Sequence, residues 1–169
     1  MQNLTESQME EVLQITAQAL RQLNEFWGLK DQVVLRPPAA PQVLSDLAAS
    51  VRFPLPPSYL RLMSLHDGID NFYGIRGHLL HSRFRHIFPD FDKEWKRPQM
   101  WVFIADNDWN AVAFDTNTRN AEGEMEVLEI ADNIDADRWL SLTDFLIAYR
   151  QRMETWVATE QADRTKGER

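Results

Sequence analysis

Residues 101–114 read WVFIADNDWNAVAF. Two apolar runs, 101–105 and 111–114, flank the polar pentapeptide DNDWN. The runs are short and rich in aromatic and β-branched residues, which predicts two strands joined by a polar turn. Neither run alternates with polar residues, so both faces of this hairpin are expected to be covered. That places it at the centre of a sheet.

Outward from the hairpin, MEVLEI (125–130) predicts a third strand with one end half exposed. The polar stretch TNTRNAEGE lies between as a loop. Residues 69–88 are expected to hold at least one more strand, and 89–100 read as a loop with embedded aromatics. Helical spacing returns after 141. Leu142, Phe145, Leu146, Tyr149, Met153 and Trp156 share one face and predict a core-facing helix. The polar residues 159–169 are expected to be a disordered tail.

Upstream, Thr5 and Gln8 form a capping box that starts a helix over about 7–27. Met9, Val12, Leu13, Leu20, Leu23, Phe26 and Trp27 make its apolar stripe, and Gly28 is placed to end it. RPPAAP (36–41) is a stiff link to a second helix ending near Ser50. PLPPSYLRLMSLHDG (54–68) then puts Pro56 and Pro57 at a helix start, where a missing N–H costs nothing. Gly68 is its expected C′ residue, with His66 and Asp67 as helix-end residues. Helices first, then a meander, then a helix gives α+β with a mostly antiparallel sheet and terminal helices packed on it. One domain over 1–158 accommodates the 169 residues.

The chemistry-bearing residue types are sparse in pattern. The chain has no cysteine, which excludes disulfides, thiolate nucleophiles and Cys-ligated zinc and fits a reducing compartment. His66, His78, His81 and His86 invite a metal reading, but their spacings do not share a helix or strand face at ligand geometry. DNDWN matches the first positions of a calcium loop, yet Ala111 stands where glycine is needed and Asn117 where a bidentate Glu is needed. Ser58, Ser64 and Ser82 lack a nucleophile elbow, and no glycine loop cradles phosphate. No cofactor, no metal and no catalytic residue are expected.

The net charge of −8 repels phosphate backbones, so nucleic acid is not an expected partner. No signal peptide is expected at the N-terminus, and no stretch is apolar enough to span a membrane. A cytoplasmic location is expected. Residues 105–137 carry ten acidic residues and one basic residue, Arg119. Trp109 sits within a polar turn beside those acids, where burial is hard to arrange. A Trp next to carboxylates suits a protein-binding anchor. The expected partner-binding residues are Asp106, Asp108, Trp109, Glu124 and Glu126, with Trp95 and Tyr73 behind them.

Three stretches together resemble a known family. VRFPLPPSYLRLMSLHDG (51–68) resembles the "LP-x-x-Y…L…NG" signature of the SUKH superfamily, which includes the yeast cell-wall synthesis regulators. WVFIADNDWNAVAFDTNT (101–118) is similar to that family's central hairpin, and SLTDFLIAY (141–149) to its closing helix. The likeness covers roughly 40–150. His66-Asp67-Gly68 stands where the family commonly has Asn-Gly, and Asp108-Trp109 replaces small residues in the turn. The resemblance implies a non-enzymatic α+β domain. Many bacterial members are immunity proteins that bind and neutralise a protein toxin, often a nuclease. A compact chain of this length is closer to that type than to the longer yeast relatives. A scaffold or interaction module of the same fold without a toxin is the alternative, and a small-ligand or metal-dependent enzyme a further one. The oligomeric state is not legible.

Overall fold

The computed structural model describes residues 4–73, 77–81, 97–106, 110–131 and 134–167. Asp108, Trp109, Trp95 and His86 lie outside the described residues, as does the Tyr73 side chain.

Helix α1 spans Glu6–Phe26 and opens on the expected capping box: Thr5 N–H donates to Gln8 Oε1 at 2.9 Å, and Gln8 N–H donates to Thr5 Oγ1 at 3.3 Å. Its buried stripe includes Met9, Val12, Leu13, Leu20 and Leu23. Gly28 follows with φ 68°, the left-handed turn a helix end requires. Trp27, read from spacing as part of the stripe, is the C-cap instead and stands 38% exposed. At the cap the chain leaves helical geometry, so the helical period no longer sets which way the side chain points.

Helices α2 (Pro41–Ser50) and α3 (Pro57–Leu65) both begin on proline, and neither has a side-chain cap of its own. Pro56 is the N-cap of α3, and His66 closes it in extended geometry. Gly68 follows two residues later with φ 91°. A Cβ there would lie 2.8 Å from the Leu79 carbonyl oxygen and 3.0 Å from His81 Cβ, so the strand after the turn also demands glycine.

Among the described residues seven strands follow one another in a single antiparallel meander: β1 (Val34–Leu35), β2 (Ile69–Tyr73), β3 (Gly77–Leu79), β4 (Met100–Ala105), β5 (Ala111–Asp115), β6 (Val127–Ala131) and β7 (Ile134–Trp139). β4 and β5 are the expected central hairpin, and every residue in both is buried. The pairing skips Phe103 between Val102↔Ala113 and Ile104↔Val112. That bulge lets Phe103 and Ile104 both join the helix-side core. Met100, Val102, Ala105, Ala111, Ala113, Leu128 and Ile130 form a second cluster from the alternate positions. The chain is α+β, as its element order predicts.

Aromatic packing binds the helices to the sheet. Tyr59 of α3 meets Trp101 at 5.1 Å and Phe114 at 5.7 Å, both edge-on, the arrangement aromatic quadrupoles favour. Helix α4 spans Leu142–Gly167 and packs chiefly against α1. Its Tyr149 hydroxyl donates to the Phe72 carbonyl at 2.8 Å. Two expectations for α4 are corrected. Trp156 is 42% exposed where its spacing predicted core. The polar segment from 159 stays helical to Gly167 where a disordered tail was expected. The guanidinium of Arg164 lies 4.7 Å from the Phe26 ring and donates to the Phe26 carbonyl, and Glu160 accepts from the Trp27 indole at 3.2 Å. These ties dock the last turns on the end of α1, which composition alone does not reveal.

Candidate functional site

An antiparallel meander puts alternate connections at opposite ends of the sheet. The β2–β3, β4–β5 and β6–β7 connections share one end, and the β3–β4 and β5–β6 connections share the other. Asp106 and the end of β2 at Tyr73 therefore lie at the first end. Glu124 and Glu126, in the β5–β6 connection, lie at the second. The five residues of β5 separate the ends by roughly 17 Å. The residues expected to form one surface are thus divided between two.

At the first end Asp106 organises the turn. Its Oδ1 accepts the Asn110 N–H at 3.0 Å and its Oδ2 accepts the Asn110 side-chain amide at 2.7 Å. The Asp106 N–H in turn donates to the Asn110 carbonyl at 3.1 Å. Both side-chain oxygens are used in closing the loop, so Asp106 shapes the turn that carries Asp108 and Trp109.

At the second end Glu124 is not a surface residue. It is 2% exposed, and its carboxylate accepts the Ser58 N–H at 2.9 Å and the Ser58 hydroxyl at 2.5 Å. Ser58 is in the first turn of α3, where helix N–H groups have no internal partner. Glu124 thus supplies from the sheet the cap that Pro56 cannot. Asn120 Oδ1 accepts the Glu122 and Glu124 N–H groups at 3.0 and 2.9 Å, and Arg119 donates to the Gly123 and Pro54 carbonyls. The β5–β6 connection is a built clamp on the proline-rich segment.

Five acids of the run are paired with arginines. Arg138 donates to Glu126 and lies 3.6 Å from Asp115. The Glu126 bond is the main reason its pKa is raised above the ordinary arginine value, with burial opposing and the charges of Glu126, Asp115 and Asp135 adding. Arg152 of α4 holds Glu129 through two bonds of 2.8 and 3.0 Å and reaches Asp137 at 3.3 Å. Arg97 pairs with Asp135. Read along the chain the run looks like a strongly acidic face; in the fold its charge is shared with cations from three other segments.

His66 and His78 make contacts that tie the fold together. His66 Nδ1 lies 2.9 Å from the Arg36 carbonyl and Nε2 lies 2.8 Å from Glu10 Oε2, which ties α1 to the end of α3. His78 approaches Asp70, itself held in a two-point bond by Arg36 at 2.9 and 3.2 Å. Among the described residues no three His, Asp or Glu side chains gather as a metal site would require, and no helix is long and apolar enough to cross a membrane.

The spacing-based reading missed one exposed aromatic feature. Trp27 and Trp156 touch at a centroid distance of 6.3 Å. Both were assigned to core stripes; the available signal was the position of Trp27 beside Gly28, past the last full helical turn.

No curated protein sequence matches the chain. A family model does, over residues 38–148, a span that takes in α2, α3, the strands from β2 to β7 and the start of α4. That match covers most of the chain, including the proline-led α3 and the buried central hairpin, and the chain belongs to the SMI1/KNR4 family (SUKH-1).

Proposed function

We propose that this chain is an immunity protein that neutralises a protein toxin by non-covalent occlusion within the cytoplasm. Membership of the SUKH-1 family over 38–148 is the observation that carries the reading. The docking surface in this proposal is the end of the sheet at the β4–β5 turn. Asp106 braces the turn through Asn110, Asp108 and Trp109 make the contact, and Tyr73 at the end of β2 supports it, whereas Trp95 precedes β4 and belongs with the connections of the other end. Such a surface combines an aromatic anchor with negative charge, which suits a basic enzyme partner such as a nuclease. Glu124 and Glu126 take no part in it: one caps α3, and the other pairs with Arg138 at the far end.

The test is binding to the toxin candidate encoded nearest the gene. The purified pair is expected to co-elute, with toxin activity lost in proportion to complex formed. Asp108→Lys is expected to slow association most at low salt, and Trp109→Ala to speed dissociation. Full binding by both variants, with loss on Glu126→Lys, would move the surface to the opposite end of the sheet. Absence of any complex with neighbouring gene products would favour a scaffold role.

A further inference from the structure

We propose that Trp27, Trp156 and Glu160 form a notch that receives a basic side chain, lysine or arginine, from a protein partner. Among the described residues the two indoles belong to the few large apolar side chains left exposed, at 38% and 42%. Trp101, by contrast, is buried at 5%. The ring centroids lie 6.3 Å apart and the planes are tilted by 60°, so the two faces are splayed rather than stacked on each other. The Trp27 Nε1–H donates to Glu160 Oε1 at 3.2 Å, which fixes that ring and sets a carboxylate at its edge. Among the described residues no cation pairs with Glu160.

These features select the occupant. The face of an indole attracts a cation, and a carboxylate at its edge does so too. A purely aliphatic occupant would strip water from Glu160 and return nothing to it. Charge complementarity therefore favours an ammonium or guanidinium over a leucine, and excludes an acidic side chain.

One turn further along α4 the molecule satisfies the same chemistry internally. The Arg164 guanidinium lies 4.7 Å from the Phe26 ring and donates to the Phe26 carbonyl. Arg164 is thereby committed to Phe26, and the neighbouring Trp27–Trp156 pair is left to an outside cation. All three notch residues fall outside the 38–148 match. The notch stands whether or not the partner is a toxin.

The test uses the full chain, isotopically labelled, and follows the indole Nε1–H resonances of Trp27 and Trp156, assigned with Trp27→Phe and Trp156→Phe. Four probes are titrated: Ac-Gly-Arg-Gly-NH2, its lysine counterpart, and the leucine and glutamate versions. Saturable shifts of both resonances are expected with the arginine and lysine peptides alone. Glu160→Gln keeps an oxygen acceptor for Trp27 and should keep the fold, while weakening the arginine peptide by about three- to fivefold. Equal response to the leucine peptide, no response to any peptide, or undiminished affinity in a folded Glu160→Gln chain would each overturn the notch.

Discussion

Glu124 caps helix α3 from 66 residues downstream, its carboxylate accepting both the N–H and the hydroxyl of Ser58. The bond joins a proline-rich segment to the β5–β6 connection. Pro56 and Pro57 set the helical direction but offer no capping side chain. Removing the carboxylate leaves a helix N–H and a hydroxyl buried without their acceptor. Glu124→Ala is therefore expected to destabilise the chain by about 2–3 kcal/mol, more than a surface acid would. Ser58→Ala loses one of the two bonds and should cost about 1 kcal/mol. Urea unfolding of both single variants and the double variant checks this, because a double-variant cost equal to the sum of the singles would mean that the pair is not coupled.

Gly68 carries two demands at once. Its φ of 91° disfavours any side chain, and a Cβ would fall 2.8 Å from the Leu79 carbonyl oxygen. Gly28 has a positive φ of 68° with nothing within 4 Å. Gly28→Ala is expected to cost about 1 kcal/mol, the left-handed penalty alone. Gly68→Ala should exceed about 3 kcal/mol, since the backbone oxygen cannot swing aside as a side chain can. Similar unfolding midpoints for the two variants would show that the contact with Leu79 yields.

The same distinction explains what could be read from the sequence. The β4–β5 hairpin was legible because both of its faces are buried, which leaves an uninterrupted apolar run. Thr5 and Gln8 announced α1 because a capping box is local chemistry. β7 was not legible: IDADRW is an edge strand whose first five residues are exposed, so no burial pattern is imposed on it. The helicity of 159–167 was hidden for a similar reason, since its contacts to Phe26 and Trp27 come from a segment 133 to 138 residues away. Glu124 illustrates the limit at the site. An acid in an acidic run reads as surface, and only the fold reveals the buried helix end that it serves.

Glu10 gives the stability a dependence on pH. Burial alone would raise its carboxyl, but the Gln14 amide at 2.7 Å and the His66 ring outweigh that and hold its pKa below the ordinary value. A depressed carboxylate stabilises the fold above its unfolded pKa and stops doing so as pH falls through the folded value. Glu10→Gln is thus expected to be less stable than the parent at pH 7, by no more than about 1 kcal/mol because the group is partly exposed. The gap should close as the solution is taken from pH 5 down past the lowered pKa. Urea midpoints of both chains across that range provide the check; a gap that widens on acidification would reverse the sign argued here.

Two arginines with similar partners should differ sharply in worth. Arg152 bonds twice to Glu129, whose side chain is only 7% exposed, whereas the side chain of Arg138 is 47% exposed and meets Glu126 near solvent. A carboxylate out of water needs its cation; one in water does not. Arg152→Met is expected to destabilise by about 3 kcal/mol, and Arg138→Met by about 1 kcal/mol or less. Replacing Glu129 as well, in Arg152→Met/Glu129→Leu, removes the stranded charge and should recover most of the loss. The three variants compared by urea unfolding at one ionic strength decide the matter. Equal costs for the two single variants, or no recovery in the double variant, would mean that packing of the arginine stem over Trp139, 6.0 Å from the Arg152 guanidinium, outweighs its charge.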